Sequence, residues 1–553
     1  MKTLRLFVLL CLVLTAVLDA GDLPVFPSPA YFRHTFSTPS ARVRLQPPLR
    51  LADFVVGDQL GLSLRAYLDL VMANNTDVAI QRLSLEQPKN AIMRAFSTFD
   101  PTLVASFNNT RAKSPTSDVL TSGGASLNQL SQPADFLYRQ TLQTGTSFFG
   151  EFYGAKTSSN NSYTTYNPAL ASYLSLGFTQ PLIRNRGAYV NRLPILMARS
   201  RLKVNEFALR AQLLTLLTAA ENAYWDVVSA RENLKVQQEA LGLRGEALKR
   251  AQRELELGAL SPLDIYQPQA QYASAEIQVS QARFALTEFE DVLRRQIGVD
   301  LDPDIRKLAI VLTEPVLPPA NESIVDRESA VARALRLRPD LLGAVQNLDV
   351  DDLGIQSSSN LLRPDLSLTG GYKITGQGGT YLQRTNVFSD TGDTSTVISA
   401  VPGGFNDALN QMFGFSYSTY SFGLTLRLPL RDHNGTANLA DALVTKRQDA
   451  LLVRKAEQQV RQEVLNAVTN VESSKASVRL ATVARDLALK TLEAEQKKYD
   501  LGASLLFYVL DAQNKLTVAE SQLLTESINY RRNQLNLLQK TGELLDQRGV
   551  AVQ

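Results

Sequence analysis

Residues 220–257 read AENAYWDVVSARENLKVQQEALGLRGEALKRAQRELEL, and this stretch decides the fold. Its mostly small or apolar side chains recur at alternating steps of three and four: Ala220, Ala223, Val227, Ala230, Leu234, Gln237, Leu241, Arg244, Leu248, Ala251 and Leu255. This heptad spacing is typical of a long helix that packs against partner helices. The helix is predicted to end near Gly258, because glycine commonly terminates helices, and Ser261-Pro262 is predicted to open the next one.

The same pattern returns later in the chain, so the sequence contains an internal repeat. A second stripe runs from Ile265 to Leu293 and stops at Gly298, which predicts a helical hairpin over 187–298. A matching hairpin is predicted over 435–542, with its tip at Gly502. The links PLIRNRG (181–187) and PLRDHNG (429–435) precede the two hairpins. A duplication of this length predicts two copies of one structural unit.

Upstream of each hairpin the hydrophobic period changes to two, which predicts β-strands. Residues 366–374 and 420–428 alternate clearly, and residues 103–108 and 172–180 alternate more weakly. Such alternation suits a lipid-facing barrel strand, although a soluble antiparallel sheet with one wet face fits it too.

The number of strands follows from this reading. Two strands per copy give four per chain, and three chains would close a barrel of 12 strands. The strand-like run Thr146–Tyr153 is then assigned to an external loop, because a chain that returns to its starting side crosses an even number of times.

The repeat also sets the predicted domain organisation. Residues 1–20 form a predicted secretory signal peptide, with Lys2 and Arg5 before a short apolar run. Acylation of Cys11 is disfavoured, because Leu10 precedes it where a lipoprotein site has a small residue. The other predicted segments are a proline-rich arm (21–60), a first repeat (61–298) with a β-hairpin at about 101–182, a proline-rich linker (299–322), a second repeat (323–542) with a β-hairpin at about 364–430, and a polar tail (543–553).

Composition argues against several functional classes. The 57 Lys and Arg nearly balance 54 Asp and Glu, which gives no reason to expect nucleic acid. The two histidines, His34 and His433, lie outside any metal-spaced cluster, and the only cysteine is Cys11. We therefore predict no metal, no cofactor, no catalytic residues and no transmembrane helix. A barrel closed by such strands would make the protein a channel; the main alternative is a periplasmic coiled-coil adaptor or scaffold without a pore, and an enzyme ranks third.

Order and spacing of these features resemble the TolC-like outer-membrane efflux channels. The resemblance covers about residues 60–542 and is strongest at YDLGASLLFYVLDAQ (499–513), paired with LGALSPLDIYQPQ (257–269). Tyr224-Trp225 and Gln180-Pro181-Leu182 also resemble that family. Each motif is weak alone, but their equal spacing in two copies is specific.

This resemblance implies an α+β membrane protein that works as a homotrimer. A 12-stranded β-barrel with four strands per chain would lie in outer-membrane lipid and continue as an antiparallel helical tunnel through the periplasm. The implied function is the exit duct of a tripartite efflux pump or a type I secretion system. The implied partners are a periplasmic adaptor and, through it, an inner-membrane pump.

The resemblance also assigns roles to residues near the tips. Asp511 matches a periplasmic-entrance aspartate, and three copies would form a cation-favouring carboxylate ring. Tyr508 stands where the family has a second aspartate, which puts a double ring in doubt. Asp264 and Tyr499 match a polar pair that holds the tip closed. Pro268 predicts a kink near the start of the returning helix. Adaptor docking is expected at Gly258, Ala259, Leu260, Ser261, Gly502, Ala503 and Ser504.

The gate is expected to open more easily than is usual in the family. The family's further basic partner falls on the uncharged Ser504, although Arg253 or Lys497 could replace it from a neighbouring position.

Overall fold

The computed structural model describes residues 49, 51–56, 59–116, 126–258, 261–299, 307–316, 326–384 and 396–550. The predicted signal peptide, Cys11, most of the predicted arm, and Ala259 and Leu260 of the first tip lie outside the described residues.

Helices account for most of the described chain. They are α1 (Leu64–Asn74), α2 (Thr76–Leu83), α3 (Glu86–Phe96), α4 (Ala188–Asn191), α5 (Leu193–Glu256), α6 (Tyr266–Gln296), α7 (Arg327–Leu337), α8 (Pro339–Leu361), α9 (Phe405–Phe413), α10 (His433–Asp500), α11 (Leu506–Thr541) and α12 (Leu544–Gln547). Two single-turn 3-10 helices cover Leu51–Phe54 and Ser97–Phe99. None of these helices combines the length and apolar character needed to cross a membrane.

Strands form two sheets. They are β1 (Val55–Val56), β2 (Gln59–Leu62), β3 (Thr102–Phe107), β4 (Thr110–Pro115), β5 (Ser126–Thr141), β6 (Ser147–Ser159), β7 (Tyr166–Pro181), β8 (Ala309–Leu312), β9 (Asp365–Arg384), β10 (Val397–Val401) and β11 (Tyr417–Arg427).

Two helices are far longer than a compact domain requires. α5 has 64 residues and α10 has 68, so at 1.5 Å per residue they are about 96 Å and about 102 Å long. α5 packs against α6, and α10 packs against α11, which gives two long helical hairpins. Pro268 lies in the first turn of α6, where its missing N–H has no helical acceptor in any case. Because Pro268 removes no hydrogen bond of the helix, the physical reason for the predicted kink is absent.

The larger sheet has six strand positions, and every pair in it is antiparallel. At one edge, β3 and β4 pair one after the other with β5 and so share one position. The order then continues through β6, β7 and β9. At the other edge, β11 and β10 pair with the two ends of β9 and share the last position. The sheet therefore has more strand positions than the four strands predicted, and Thr146–Tyr153, predicted to be an external loop, belongs almost entirely to β6, inside the sheet.

Cross-strand contacts explain why a polar stretch forms these extra strands. β5 reads SLNQLSQPADFLYRQT, which shows little clean alternation. Its aromatic side chains nevertheless find partners on β6: the Phe136 and Phe152 rings lie 6.4 Å apart, and the Tyr138 and Phe148 rings lie 5.8 Å apart. Pairs of this kind stabilise a sheet by about 0.2–1 kcal/mol each and depend on register.

The two faces of the sheet differ in chemistry, as the alternation in the second copy predicted. On the apolar face, Leu368 lies directly opposite Leu424. On the polar face, Lys373 Nζ lies 3.7 Å from the Tyr173 ring centroid, and the Tyr173 hydroxyl donates to Glu151 at 2.6 Å.

Helix α9 covers part of the apolar face. At Gly376 a Cβ atom would lie 1.9 Å from the Ala408 carbonyl oxygen, so only glycine permits this close approach.

The smaller sheet and the end of the chain pack into one core with the middle of α5. β2 pairs with β1 and, in parallel, with β8 from the predicted linker. Leu544 and Leu545 of α12 are buried in the same core. Arg548 donates to both carboxylate oxygens of Glu221, which is 1% exposed. Residues 544–548 of the predicted polar tail are thus docked on the protein, through two leucines and one arginine.

Candidate functional site

The two hairpin tips have the same local structure. α5 and α10 each end shortly before a glycine whose backbone is left-handed, with φ of 74° at both Gly258 and Gly502. A Cβ atom added at either glycine would meet no other atom within 4 Å. Leu257 and Leu501 are 83% and 84% exposed beside them. Each tip therefore presents open backbone and an uncovered leucine.

The predicted docking residues at the tips are held by local hydrogen bonds. In the first tip, the Ser261 hydroxyl accepts from the Leu263 N–H at 3.3 Å. In the second, the Ala503 N–H donates to the Lys498 carbonyl at 2.8 Å. The Ser504 hydroxyl donates to Glu495 at 2.9 Å. These bonds fix the turns and leave the glycines uncovered.

Four residues just inside the tips join the two hairpins, and we call them the tip cluster: Arg250, Glu254, Tyr499 and Asp500. The Tyr499 hydroxyl donates to Glu254. Arg250 reaches Asp500 at 2.6 Å and Glu254 at 3.1 Å, and its guanidinium lies 4.5 Å from the centroid of the Tyr499 ring. Burial and the bond to Glu254 raise the pKa of Tyr499 to about 12, so its hydroxyl stays protonated and remains a donor at neutral pH.

The tip cluster differs from the predicted pair of Asp264 and Tyr499. A tyrosine hydroxyl carries one proton, and within this chain Glu254 accepts it. Asp264 instead lies in the turn, where its backbone N–H donates to the Ser261 carbonyl at 3.0 Å. A sequence signal for Glu254 did exist. Glu254 lies four residues before Gly258, and Tyr499 lies three residues before Gly502, so the two lie at similar distances from the tips of α5 and α10.

Asp511 lies near the start of α11 and already has a cationic partner. Lys515 Nζ is 2.7 Å from the Asp511 carboxylate, one helical turn away. Tyr508 lies one turn earlier and is 52% exposed. Spacings of three and four place all three side chains on one side of the helix. The i,i+4 spacing of Asp511 and Lys515 was visible in the sequence, but their pairing was missed.

The fold and its tips define a class of protein. A sheet with one apolar and one polar face, continued by two helical hairpins that each contain one helix about 100 Å long and end in open turns, is the architecture of an outer-membrane channel with a helical periplasmic extension. The second half of the chain is similar to the outer-membrane efflux proteins: the family model described as "Outer membrane efflux protein" matches residues 330–543. The TolC-like resemblance is confirmed. The chain is an outer-membrane exit duct of efflux pumps that extends into the periplasm, and this is a family of transport channels, not of enzymes.

Individual proteins agree with this assignment. The outer membrane protein TolC of Vibrio cholerae is 26% identical over 388 residues, which cover 69% of this chain and 79% of that protein. The CmeC outer membrane channel of Campylobacter jejuni has a similar fold, with a TM-score of 0.58, 17% identity, and coverage of 87% of this chain and 86% of CmeC. VceC of Vibrio cholerae gives a TM-score of 0.59 at 14% identity, over 87% of this chain and 96% of VceC.

Proposed function

We propose that three copies of this chain form one continuous duct. The sheets would close a barrel in outer-membrane lipid, and the hairpins of the two repeats (61–298 and 323–542) would line a tunnel through the periplasm. The tips would bind a periplasmic adaptor, which connects the duct to an inner-membrane pump. An exit duct of this shape suits small molecules in a tripartite pump and unfolded proteins in type I secretion.

Exposed heptads on the long helices carry the proposal of a trimer. In a single chain, α10 leaves two groups of apolar side chains uncovered, at 443–452 and 480–487, and α6 exposes Ile277 and Phe284. The groups on α10 comprise Leu443, Val444, Leu451, Leu452, Leu480, Val483 and Leu487. Apolar side chains at this spacing pack against other helices, and in the trimer a neighbouring chain would supply those helices. The same sheet, with its apolar face, argues against a soluble adaptor or scaffold without a pore.

Fractionation tests this proposal directly. The mature protein is expected in the outer-membrane fraction, and native mass spectrometry of the detergent-extracted protein is expected to give three times the mass of one chain. A soluble monomer in the periplasmic fraction would contradict both the membrane location and the trimer.

We expect the tip cluster to hold the closed end of the tunnel. Tyr499→Phe removes the charge-assisted bond between the hairpins, which is worth about 1–3 kcal/mol and less where water reaches it, and Glu254→Gln removes the charge of its acceptor. Either variant should raise the single-channel conductance of the purified trimer in planar bilayers, and the double variant should add little.

Asp264→Ala distinguishes this cluster from the pair predicted by the sequence. If Glu254 is the acceptor, Asp264→Ala should conduct like the unmodified protein. A rise in conductance with Asp264→Ala alone would instead assign the bond to Asp264 in the assembled trimer.

Ion selectivity at the entrance should depend on both members of the Asp511–Lys515 pair. Asp511→Asn leaves three unpaired lysines around the threefold axis, so the reversal potential in a salt gradient should shift toward anion preference. Lys515→Gln leaves three unpaired carboxylates and should shift the reversal potential in the opposite direction. Equal reversal potentials in both variants would place the pair away from the pore.

A further inference from the structure

The larger sheet ends in two edges that are unpaired within the described chain. β3 and β4 pair only with β5, and β11 pairs only with β9. All residues of β3 and β4 are exposed, as are all residues of β11 except Gly423. An open edge of this length is a template for pairing with another strand, and a membrane barrel has no open edges.

These two edges are complementary in direction. The six positions of the sheet alternate strictly, so β3 and β11 run in opposite directions. When a second copy is related to the first by rotation about the barrel axis, β11 of one copy therefore meets β3 of the next as an antiparallel neighbour. An even number of strands per chain is what permits this closure.

The faces of the sheet also continue across the two edges. One row of directly opposed residues begins at Leu103 of β3 and ends at Tyr420 of β11, on the apolar face. The intervening positions along each edge belong to the polar face, which includes Ser106 of β3 and Ser421 of β11. Pairing of the two edges would thus keep an apolar outside and a polar inside around the whole ring.

We propose that β11 of each copy pairs with β3 of the next, so that three copies with six strand positions each close a barrel of 18 strands. The proposal rests on the trimer of the proposed function. With strands about 4.8 Å apart and tilted by about 40°, the barrel radius is about 18 Å, against about 12 Å for 12 strands. A barrel of this size leaves a wide aqueous lumen, as in porins.

Cysteine cross-linking tests which strands are neighbours. The only cysteine of the chain, Cys11, lies in the predicted signal peptide, so the mature protein provides a background without thiols. Ser106→Cys is combined in turn with Thr419→Cys, Ser421→Cys or Thr425→Cys, all on the polar face. The three positions along β11 cover different staggers of β11 against β3 of the neighbouring copy. After oxidation in native outer membranes, at least one pair should give disulfide-linked trimers on a non-reducing gel.

Two controls use the register of the sheet. Ser367→Cys with Thr425→Cys places thiols directly opposite one another within one chain and should close an intramolecular disulfide. Ala105→Cys with the same three β11 partners places the thiols on opposite faces and should give no linked trimer.

The other outcomes separate this proposal from the trimer itself. Links from β11 to Ser147→Cys of β6, in place of Ser106→Cys, would mean that only four strand positions per chain form the wall, and would overturn the 18-stranded barrel but not the trimer. A trimeric native mass without any link from β11, while the intramolecular control forms, would overturn edge pairing. A native mass of one or two chains would overturn the trimer and, with it, the strand number.

Discussion

Gly502→Trp is expected to abolish efflux while the channel still assembles in the outer membrane. A Cβ atom added at Gly502 would meet no atom within 4 Å beyond the neighbouring residues, so the tryptophan side chain starts into open space in the isolated protein. Only a partner seated on the tip would collide with it. Efflux is measured as the minimum inhibitory concentration of a transported compound in a strain that depends on this channel, and it should fall to the value of the deletion strain.

Gly502→Ala is the matched control, because it separates bulk from backbone strain. At a φ of 74° any L-residue costs about 1–2 kcal/mol, so both variants carry the same local strain. Alanine adds one methyl group and should retain efflux, and both variants should show the same amount of trimer in outer membranes. Full efflux with Gly502→Trp would rule out docking at this tip. Equal loss in both variants would assign the effect to the turn itself.

Arg548→Met is expected to destabilise the protein by about 3–5 kcal/mol, because it leaves a buried carboxylate without its described partner. The Glu221 side chain is 2% exposed, and Arg548 binds both of its oxygens. The expected result is a clear drop in the temperature at which the detergent-solubilised protein unfolds, followed by circular dichroism. Replacing both partners by apolar residues, as Glu221→Leu with Arg548→Met, should recover part of the loss.

Arg461→Met provides the comparison at an exposed ion pair. Arg461 reaches Glu328 at 3.0 Å, but their side chains are 58% and 73% exposed. Pairs in water contribute about 0–1 kcal/mol, so this variant should unfold close to the unmodified protein. If Arg548→Met unfolded at the same temperature as Arg461→Met, the chain end would not be anchored through Glu221.

Helical parts of the fold could be predicted from the sequence because their signals are local. Heptad spacing gave the long helices, and the glycines at 258 and 502 marked the turns, since a left-handed residue ends a helix whatever packs around it. Alternation also identified β9 and β11, whose leucine, isoleucine and phenylalanine side chains face one way. In each case the deciding pattern lies within a few residues along the chain.

The tip and the sheet were only partly predictable, because their contacts join residues far apart in sequence. The sequence placed Tyr499 at the tip, but which carboxylate accepts its proton depends on how α5 and α10 lie against each other. Similarly, Lys515 was visible beside Asp511, yet its role as a partner appears only when both side chains are placed.

By itself, the sequence determined two long hairpins with matched tips, an amphipathic strand pair and the resemblance to the efflux channels. Only the tertiary structure decided that β5 and β6 belong to the sheet, that Glu254 bonds Tyr499, and that the chain end docks on Glu221. A helix satisfies its backbone within itself, so its pattern survives in any short window of sequence. A strand or an ion pair is stabilised by whatever lies across from it, and that neighbour is set by the register of the whole fold.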